Sequence, residues 1–306
     1  MQKYKLVTDH IKKLSNIKYG EWISEETTEG INMPMISYDK SVYDFLFDLD
    51  RFIAQNPDID YVSILNKAKI KNEINAFVGV DFSKLSIEEI FAMILGTIRA
   101  DRFCEGALLA TFESGHILRW MKRIKELDTI NEMIDKINLT IQRIWKYDIS
   151  KDYNNGWLLK EDTLKNAFYF HLRRRLGKFF DENNIRIFTE FTEDKFKGTH
   201  CRPDMVIAKV NDNEELEYLA VIEFKYKKGF TTSNSIYADF KKLRKYVNDF
   251  HIGCKLYMAT IWEYEDDETC WEPEKNKWAE NKLVELNASY KSKPYKMRFY
   301  IKEHKT

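Results

Sequence analysis

Hydrophobic side chains recur every three or four residues through most of the first half of the chain. The clearest runs cover residues 42–53, 87–98, 117–127 and 130–144. Positions three and four apart lie on one face of an α-helix, so each run predicts an amphipathic helix that packs against a core. The first half is therefore predicted to be an all-α domain.

A polar, turn-rich segment at residues 151–156 separates this helical half from the rest of the chain. At 306 residues the chain is long enough for two domains. We predict an α-helical domain over residues 1–152, with a role in recognition or oligomerisation, and a second domain over residues 153–306.

The second half alternates between helical and extended patterns. Amphipathic helices are predicted over residues 160–183 and 235–250, and the acidic segment 263–274 predicts an exposed loop. Runs rich in β-branched and aromatic residues predict strands over residues 185–191, 205–210, 216–225 and 255–262, and an edge strand over 297–301. The resulting order is helix, three strands, helix, strand, which is typical of an α/β domain.

Charged residues lie at the ends of two neighbouring predicted strands. Asp204 precedes one strand, and Glu223 and Lys225 lie near the end of the next. Alternate strand residues share a face, so Glu223 and Lys225 are expected side by side, with Asp204 at the same edge. Clustered carboxylates are costly without a cation, and Mg²⁺ prefers their hard oxygens. Asp204 and Glu223 are thus predicted metal ligands, and Lys225 is predicted to act on the attacking water or the developing charge.

A third carboxylate from the preceding helix would complete such a site. Glu161, near the N-terminal end of that helix, is the first choice, and Asp162 and Glu190 are alternatives. Acidic residues are also common at helix N-termini because they interact favourably with the helix dipole. Position alone therefore does not assign Glu161 to the site.

This combination resembles the PD-(D/E)-x-K nuclease superfamily, whose fold is restriction-endonuclease-like. The resemblance covers residues 157–263, and its matching positions are Glu161 in the first helix, Pro203-Asp204 on the second strand and Glu223-Phe224-Lys225 on the third. It implies an α/β restriction-endonuclease-like core in which Asp204, Glu223 and Glu161 bind Mg²⁺, with Mn²⁺ as a substitute, and Lys225 assists hydrolysis. The usual substrate in that family is DNA. Because no core position is missing, the resemblance implies an active enzyme.

Parts of the first half resemble an uncharacterised bacterial domain of unknown function. They are residues 33–38, residues 98–103 together with Gly106, and residues 118–127. This second resemblance implies a bacterial or phage source and supplies no chemistry.

Charge is balanced over the whole chain but uneven locally. Lys plus Arg and Asp plus Glu both number 49, which excludes an overall positive coat for indiscriminate nucleic-acid binding. Cationic side chains nevertheless cluster around the predicted site. We predict nucleic-acid contacts at Arg173, Lys227, Lys228 and Lys242, with solvated element faces as the alternative interpretation.

Several other classes lose support. The four cysteines and six histidines lack the spacing of zinc ligands, and no phosphate-loop, dinucleotide-binding or nucleophile-elbow motif is present. The longest apolar stretch, residues 90–98, is shorter than the about 20 residues that span a bilayer. With no apolar signal region near the N-terminus, we expect a cytoplasmic protein with no membrane partner.

The sequence therefore supports the hypothesis of a Mg²⁺-dependent nuclease. Its expected substrate is double-stranded DNA, with RNA as an alternative, and its expected role is that of a restriction or anti-invader endonuclease. A homodimer would have two active sites, one for each strand of a DNA duplex. The alternative from another class is a non-catalytic nucleic-acid-binding or protein-interaction module that retains the nuclease fold.

Overall fold

The computed structural model describes residues 3–24, 26–27, 30–31, 34–192, 202–211, 213–228, 238, 241–246, 254–263, 277–291 and 296–304. The chain forms two compact units, Met1–Glu132 and Met133–Thr306. The division lies within one long helix, His116–Arg143, because the hydrophobic runs that begin at residues 117 and 130 belong to a single continuous helix. The boundary predicted at residue 152 lies further along the chain, within the short helix Ser150–Asn154.

The first unit is mainly helical. Its helices are α1 (Lys5–Thr8), α2 (Ile11–Leu14), α3 (Lys40–Gln55), α4 (Tyr61–Lys67), α5 (Ile74–Gly79), α6 (Ile87–Asp101), α7 (Ala107–Glu113) and the first part of α8 (His116–Arg143). Buried aromatic side chains, including Phe45, Phe91, Phe112 and Trp120, contribute to its core. The structure thus confirms the helical interpretation of the first half at the level of its main elements.

The prediction of an all-α first domain is wrong in one respect. Strands β1 (Gly20–Ile23) and β4 (Met35–Tyr38) pair in antiparallel register, and the two-residue strands β2 (Glu26–Thr27) and β3 (Gly30–Ile31) also pair. In β1 only its first residue is buried, and in β4 only its second. Strands this short and this exposed leave no alternating hydrophobic pattern to detect.

The second unit contains the end of α8, a π-helix at Ile144–Ile149, and two further α-helices, α9 (Ser150–Asn154) and α10 (Glu161–Glu182). Its strands are β5 (Ile185–Thr189), β6 (Met205–Val210), β7 (Leu216–Lys228), β8 (Lys255–Glu263), β9 (Leu283–Lys291) and β10 (Lys296–Glu303). The five strands predicted from the sequence correspond to β5, β6, β7, β8 and β10, whereas β9 was not predicted.

Two predicted segments lie partly outside the described residues. Of the predicted helix over residues 235–250, residue 238 and residues 241–246 are described, and these are helical. Of the acidic segment over residues 263–274, only Glu263 is described, and it ends β8.

The six strands of the second unit form one mixed sheet in the order β10-β9-β8-β7-β6-β5. Strands β5, β6 and β7 form an antiparallel meander, β7, β8 and β9 are parallel, and β10 is antiparallel to β9. Met205 on β6 lies opposite Ile222 on β7. This register brings Asp204, the residue before β6, next to the middle of β7.

Both faces of β7 are covered. The ring of Phe224 packs against Phe168 of α10, with ring centroids 5.3 Å apart. Val221 instead belongs to a buried cluster with Leu243 and Tyr246 of the helical residues 241–246. Because successive strand residues point to opposite faces, α10 and the later helix lie on opposite faces of the sheet. Across the described ranges, no helix is both long and apolar enough to span a membrane.

Candidate active site

The predicted site residues come from three separate elements of the second unit. Glu161 is the first residue of α10, Asp204 immediately precedes β6, and Glu223 and Lys225 lie on β7. The pairing of β6 with β7 brings Asp204 next to β7, where its Oδ2 accepts a hydrogen bond of 2.8 Å from the backbone N–H of Phe224. One carboxylate oxygen of Asp204 is thereby fixed between the two predicted β7 residues.

The start of α10 is tied to β7 beside Lys225. The hydroxyl of Tyr226 donates a hydrogen bond of 2.9 Å to the backbone oxygen of Leu158. Thr163 Oγ1 accepts hydrogen bonds from the N–H groups of Leu159 and Lys160, at 2.9 and 3.0 Å. These contacts satisfy donors at the helix start and fix the turn that carries Glu161.

Glu161 and Lys225 form an ion pair at this junction. The Nζ atom of Lys225 lies 3.3 Å from Oε2 of Glu161, and both side chains are partly buried. Burial is the main cause that raises the pKa of Glu161, and the negative charge of Asp204 raises it further, whereas the charges of Lys225 and Lys165 oppose both effects. The negative charges of Glu161 and Asp204 therefore repel each other.

Asp162, the neighbouring alternative, takes a different position. Its carboxylate lies 2.8 Å from Nζ of Lys160, and both side chains are about two-thirds exposed, at 66% and 67%. Of the two acidic residues at this helix start, Glu161 is thus the one that contacts a predicted site residue.

Lys165 was not predicted as a site residue, yet it contacts two acidic residues at this edge of the sheet. Its Nζ donates a hydrogen bond of 3.2 Å to Oδ1 of Asp204 and another to Oε1 of Glu190. The Lys165 side chain is only 10% exposed. Burial alone would lower its pKa, but the hydrogen bonds and charges of Glu190 and Asp204 outweigh burial and raise it.

Glu190, an alternative third carboxylate in the sequence analysis, follows the end of β5 in an unusual backbone conformation. Its φ angle is +51°, in the left-handed region that non-glycine residues seldom adopt. Its backbone N–H donates a hydrogen bond of 2.9 Å to the backbone oxygen of Asp204. Arg202 Nε lies 3.1 Å from its backbone oxygen and 3.2 Å from its Oε2. Backbone strain of this kind tends to occur at functional sites.

Glu223 is the most buried of the predicted residues, with 1% of its surface exposed. Its Oε1 accepts a hydrogen bond of 3.0 Å from the hydroxyl of Tyr246, in the helix over residues 241–246. A buried carboxylate needs such donors because its desolvation is costly. The role of Glu223 as a metal ligand stays a prediction.

The four predicted nucleic-acid contacts have different surroundings. Lys227 is buried with its Nζ 4.8 Å from the ring centroid of Trp262, whereas Lys228 is exposed. Lys242 is partly exposed, and Arg173 lies 3.6 Å from Asp181 on the same helix. Burial makes Lys227 the least accessible of the four to a nucleic acid.

The donor chemistry of this edge fits a hard divalent cation. Mg²⁺ is commonly held by one or two carboxylates together with waters and substrate phosphates. Asp204 and Glu161 are two such carboxylates, and their mutual repulsion would be relieved by a cation. Among the residues that the structure describes, no three His, Cys, Asp or Glu side chains are grouped closely enough to hold a metal ion together.

Comparisons with known proteins concern the first half of the chain. Residues 5–129 match a family of unknown function (DUF6508). Neither a curated protein nor a solved structure matches the chain. The family match agrees with the predicted resemblance of the first half to an uncharacterised domain. It covers less than half of the chain and none of the candidate site, so the function of that site has to be argued from its own residues.

Proposed function

We propose that the second unit is a Mg²⁺-dependent nuclease that hydrolyses phosphodiester bonds, with DNA as its substrate. The observation that carries the proposal is the convergence of Glu161, Asp204 and Lys225. These residues come from the start of a helix, the position just before one strand and a position near the end of another, and a chance surface ion pair would not involve all three. The closeness of two carboxylates with an amine beside them suits phosphodiester hydrolysis.

The order of elements supports the same proposal. Helix α10 is followed by the meander of β5, β6 and β7, then by helical residues and by β8, which is parallel to β7. This is the order of helix, three strands, helix and strand that the resemblance to the PD-(D/E)-x-K superfamily implies. We therefore propose a restriction-endonuclease-like core for this unit.

Asp204 and Glu161 would hold the metal ion, and Glu223 is the further predicted ligand. When bound, Mg²⁺ lowers the pKa of a coordinated water and neutralises charge on the scissile phosphate. The hydrogen bond from the Phe224 N–H holds Asp204 Oδ2 and thereby orients the Oδ1 atom.

Lys225 would act on the reacting groups directly. Its ammonium lies beside Glu161 at the edge of the sheet, where it can donate hydrogen bonds to an attacking water or to a phosphate oxygen. A positive charge fixed at that place stabilises negative charge that develops during the reaction. Exposed Lys228 and Arg173 would contact the substrate backbone outside the reacting centre. By analogy with the fold alone, a restriction or anti-invader role fits this chemistry.

The proposal is tested by incubating the full chain with plasmid, linear duplex DNA and RNA at low salt. Each substrate is tested with Mg²⁺, with Mn²⁺ and with EDTA, and the Asp204→Ala variant is tested in parallel. We expect metal-dependent cleavage of DNA that is lost in EDTA and in the variant, because both remove the metal.

Other outcomes would change the conclusion in defined ways. Cleavage of RNA alone would keep the mechanism and change the substrate. If folded wild-type protein cuts none of the substrates, or if the Asp204→Ala variant cuts as fast as wild type, the nuclease proposal is overturned. Binding of DNA without cleavage would then favour the non-catalytic module.

A further inference from the structure

The amine of Lys165 lies between two carboxylates, one of which is a proposed metal ligand. It donates hydrogen bonds to Asp204 Oδ1 and to Glu190 Oε1. Lys165 lies one helical turn after Glu161, and residues four positions apart share a face of an α-helix. The charge of Lys165 also acts on Glu161. One ammonium group thus contacts two carboxylates at this edge and acts on the third, Glu161, through its charge.

Three carboxylates along one edge of the sheet would destabilise the metal-free protein if no positive charge balanced them, even though they are not grouped closely enough to hold one ion together. Glu161, Asp204 and Glu190 are instead balanced by Lys225, Lys165 and Arg202. The Lys165 ammonium is the member of this group that contacts Asp204 Oδ1, the oxygen that Phe224 does not hold. It therefore occupies a direction from which a metal ion would approach Asp204.

We propose that Lys165 is an internal counter-ion of the metal site, which binds Asp204 in the metal-free protein and is displaced from it when a divalent cation binds. This inference rests on the proposed function, since it assumes that Asp204 is a metal ligand. Lys165 is a positioning residue in this account and does not itself touch the substrate.

Glu190 provides the partner that Lys165 keeps after displacement. Its carboxylate contacts both Lys165 and Arg202. Its strained backbone is fixed by the hydrogen bond from its N–H to the backbone oxygen of Asp204. A buried ammonium that lost Asp204 with no second carboxylate would be strongly destabilised. Glu190 therefore lowers the cost of moving Lys165 away from Asp204.

This arrangement predicts that the Lys165 charge stabilises the metal-free protein and weakens its affinity for metal. The full chain with Lys165→Met keeps most of the side-chain volume and loses the charge. Because a positive charge next to a metal ligand opposes cation binding, we expect this variant to bind Mn²⁺ about tenfold more tightly than wild type. We also expect a lower melting temperature in EDTA, which Mn²⁺ restores. Isothermal titration and thermal unfolding measure both effects without requiring catalysis.

Lys160→Met is the matched control, because Lys160 pairs with Asp162 on the surface. Its Mn²⁺ affinity should stay within about twofold of wild type, since exposed ion pairs contribute little. An unchanged or weaker affinity in Lys165→Met, with wild type binding Mn²⁺ normally, would overturn this inference and leave the nuclease proposal standing. Absence of Mn²⁺ binding in every folded protein would overturn both.

Glu190→Gln supplies a second variant, and the single change tests the inference whether or not Lys165→Met folds. It should weaken Mn²⁺ binding, because Lys165 then depends on Asp204 alone. Where Lys165→Met folds, the same Glu190→Gln change in that background should have no effect on affinity. An equal loss in both backgrounds would show Glu190 to be a metal ligand in its own right and would contradict the counter-ion role. Stronger or unchanged binding in the single Glu190→Gln variant would also contradict it.

Discussion

At the scale of single residues, Glu161 and Asp162 differ in environment although they are neighbours in the chain. Glu161 is half-buried, contacts Lys225 and has a pKa raised chiefly by burial and by the charge of Asp204, against the opposing charge of Lys225. Asp162 is exposed, and its pKa is lowered by its hydrogen bond with Lys160. A cation at the site would stabilise the ionised form of Glu161 and would have little influence on Asp162.

Glu161→Gln should therefore reduce metal-dependent cleavage by about 100-fold, since loss of a metal-binding charge costs several kcal/mol in the transition state. Asp162→Asn should leave the rate within about twofold, because its surface ion pair is weak. The measurement is the initial rate of plasmid cleavage at several Mg²⁺ concentrations. Equal rates for Glu161→Gln and wild type would remove Glu161 from the site.

Some residues of the candidate site could be identified from the sequence pattern, and others could not. The position of Asp204 beside β7, the strand that carries Lys225, was predictable from strand alternation and the order of strands, whereas the roles of both residues stay predictions. Lys165 was not predicted, because its partners Glu190 and Asp204 are distant in the chain and become neighbours through the packing of α10 on the sheet. The spacing Glu161-x-x-x-Lys165 was the available signal, since it puts both on one helix face.

At the scale of elements, α10 is joined to the preceding π-helix by charge. Arg175 donates hydrogen bonds from Nε to Asp148 Oδ2 at 2.6 Å and from Nη2 to Oδ1 at 3.0 Å, and Arg174 adds one of 3.1 Å. Burial alone would raise the pKa of Asp148, but the hydrogen bond and charge of Arg175, with help from His171 and Arg174, lower it. Arg174 and Arg175, which follow Arg173 in the chain, thus form ion pairs within the second unit.

This ion pair predicts a pH dependence of stability. A carboxylate with a lowered folded pKa stabilises the protein fully above its ordinary pKa of 3.8 and loses that contribution as the pH falls through the folded value. Asp148→Asn should lower the free energy of unfolding by about 2 kcal/mol at neutral pH. The difference from wild type should shrink as the pH falls well below 3.8.

Denaturant unfolding of both proteins over a pH series measures this difference. Asp181→Asn is the control, because Asp181 is 70% exposed and its ion pair with Arg173 is long, at 3.6 Å. It should change stability by less than about 1 kcal/mol at any pH. A constant difference between Asp148→Asn and wild type across the series would contradict the proposed electrostatic origin.

Elements with a clear hydrophobic period were predictable, and those with mixed patterns were not. β5, β6, β7 and β8 follow from apolar runs, whereas β9 carries Glu285, Asn287 and Ser289 at alternate positions that are nevertheless buried. Such residues resemble an exposed strand face or a loop in the sequence. Their burial depends on neighbours such as Trp145, whose Nε1 donates to the backbone oxygen of Asn287 at 3.0 Å. Sequence alone does not supply that contact.

At the scale of the whole molecule, the family match and the candidate site lie in different units. The first matches a family of unknown function over residues 5–129, and the second contains the candidate site. Because charge is balanced, with 49 basic and 49 acidic residues, the proposed nucleic-acid binding would have to depend on local cations and would weaken with salt. Two domains were expected from length and pattern, whereas the division of the chain inside α8 was not, because the helical pattern continues across it.

The central claim is that the second unit cleaves phosphodiesters with Lys225 in the reacting centre. Its most direct test compares wild type, Lys225→Met and Lys178→Met for cleavage and DNA binding in parallel, with Lys178 as an exposed lysine on α10. We expect Lys225→Met to lose cleavage by at least about 100-fold, in line with loss of a group that stabilises transition-state charge, while DNA binding changes little. Lys178→Met should behave as wild type. Cleavage by Lys225→Met at the wild-type rate would contradict the account.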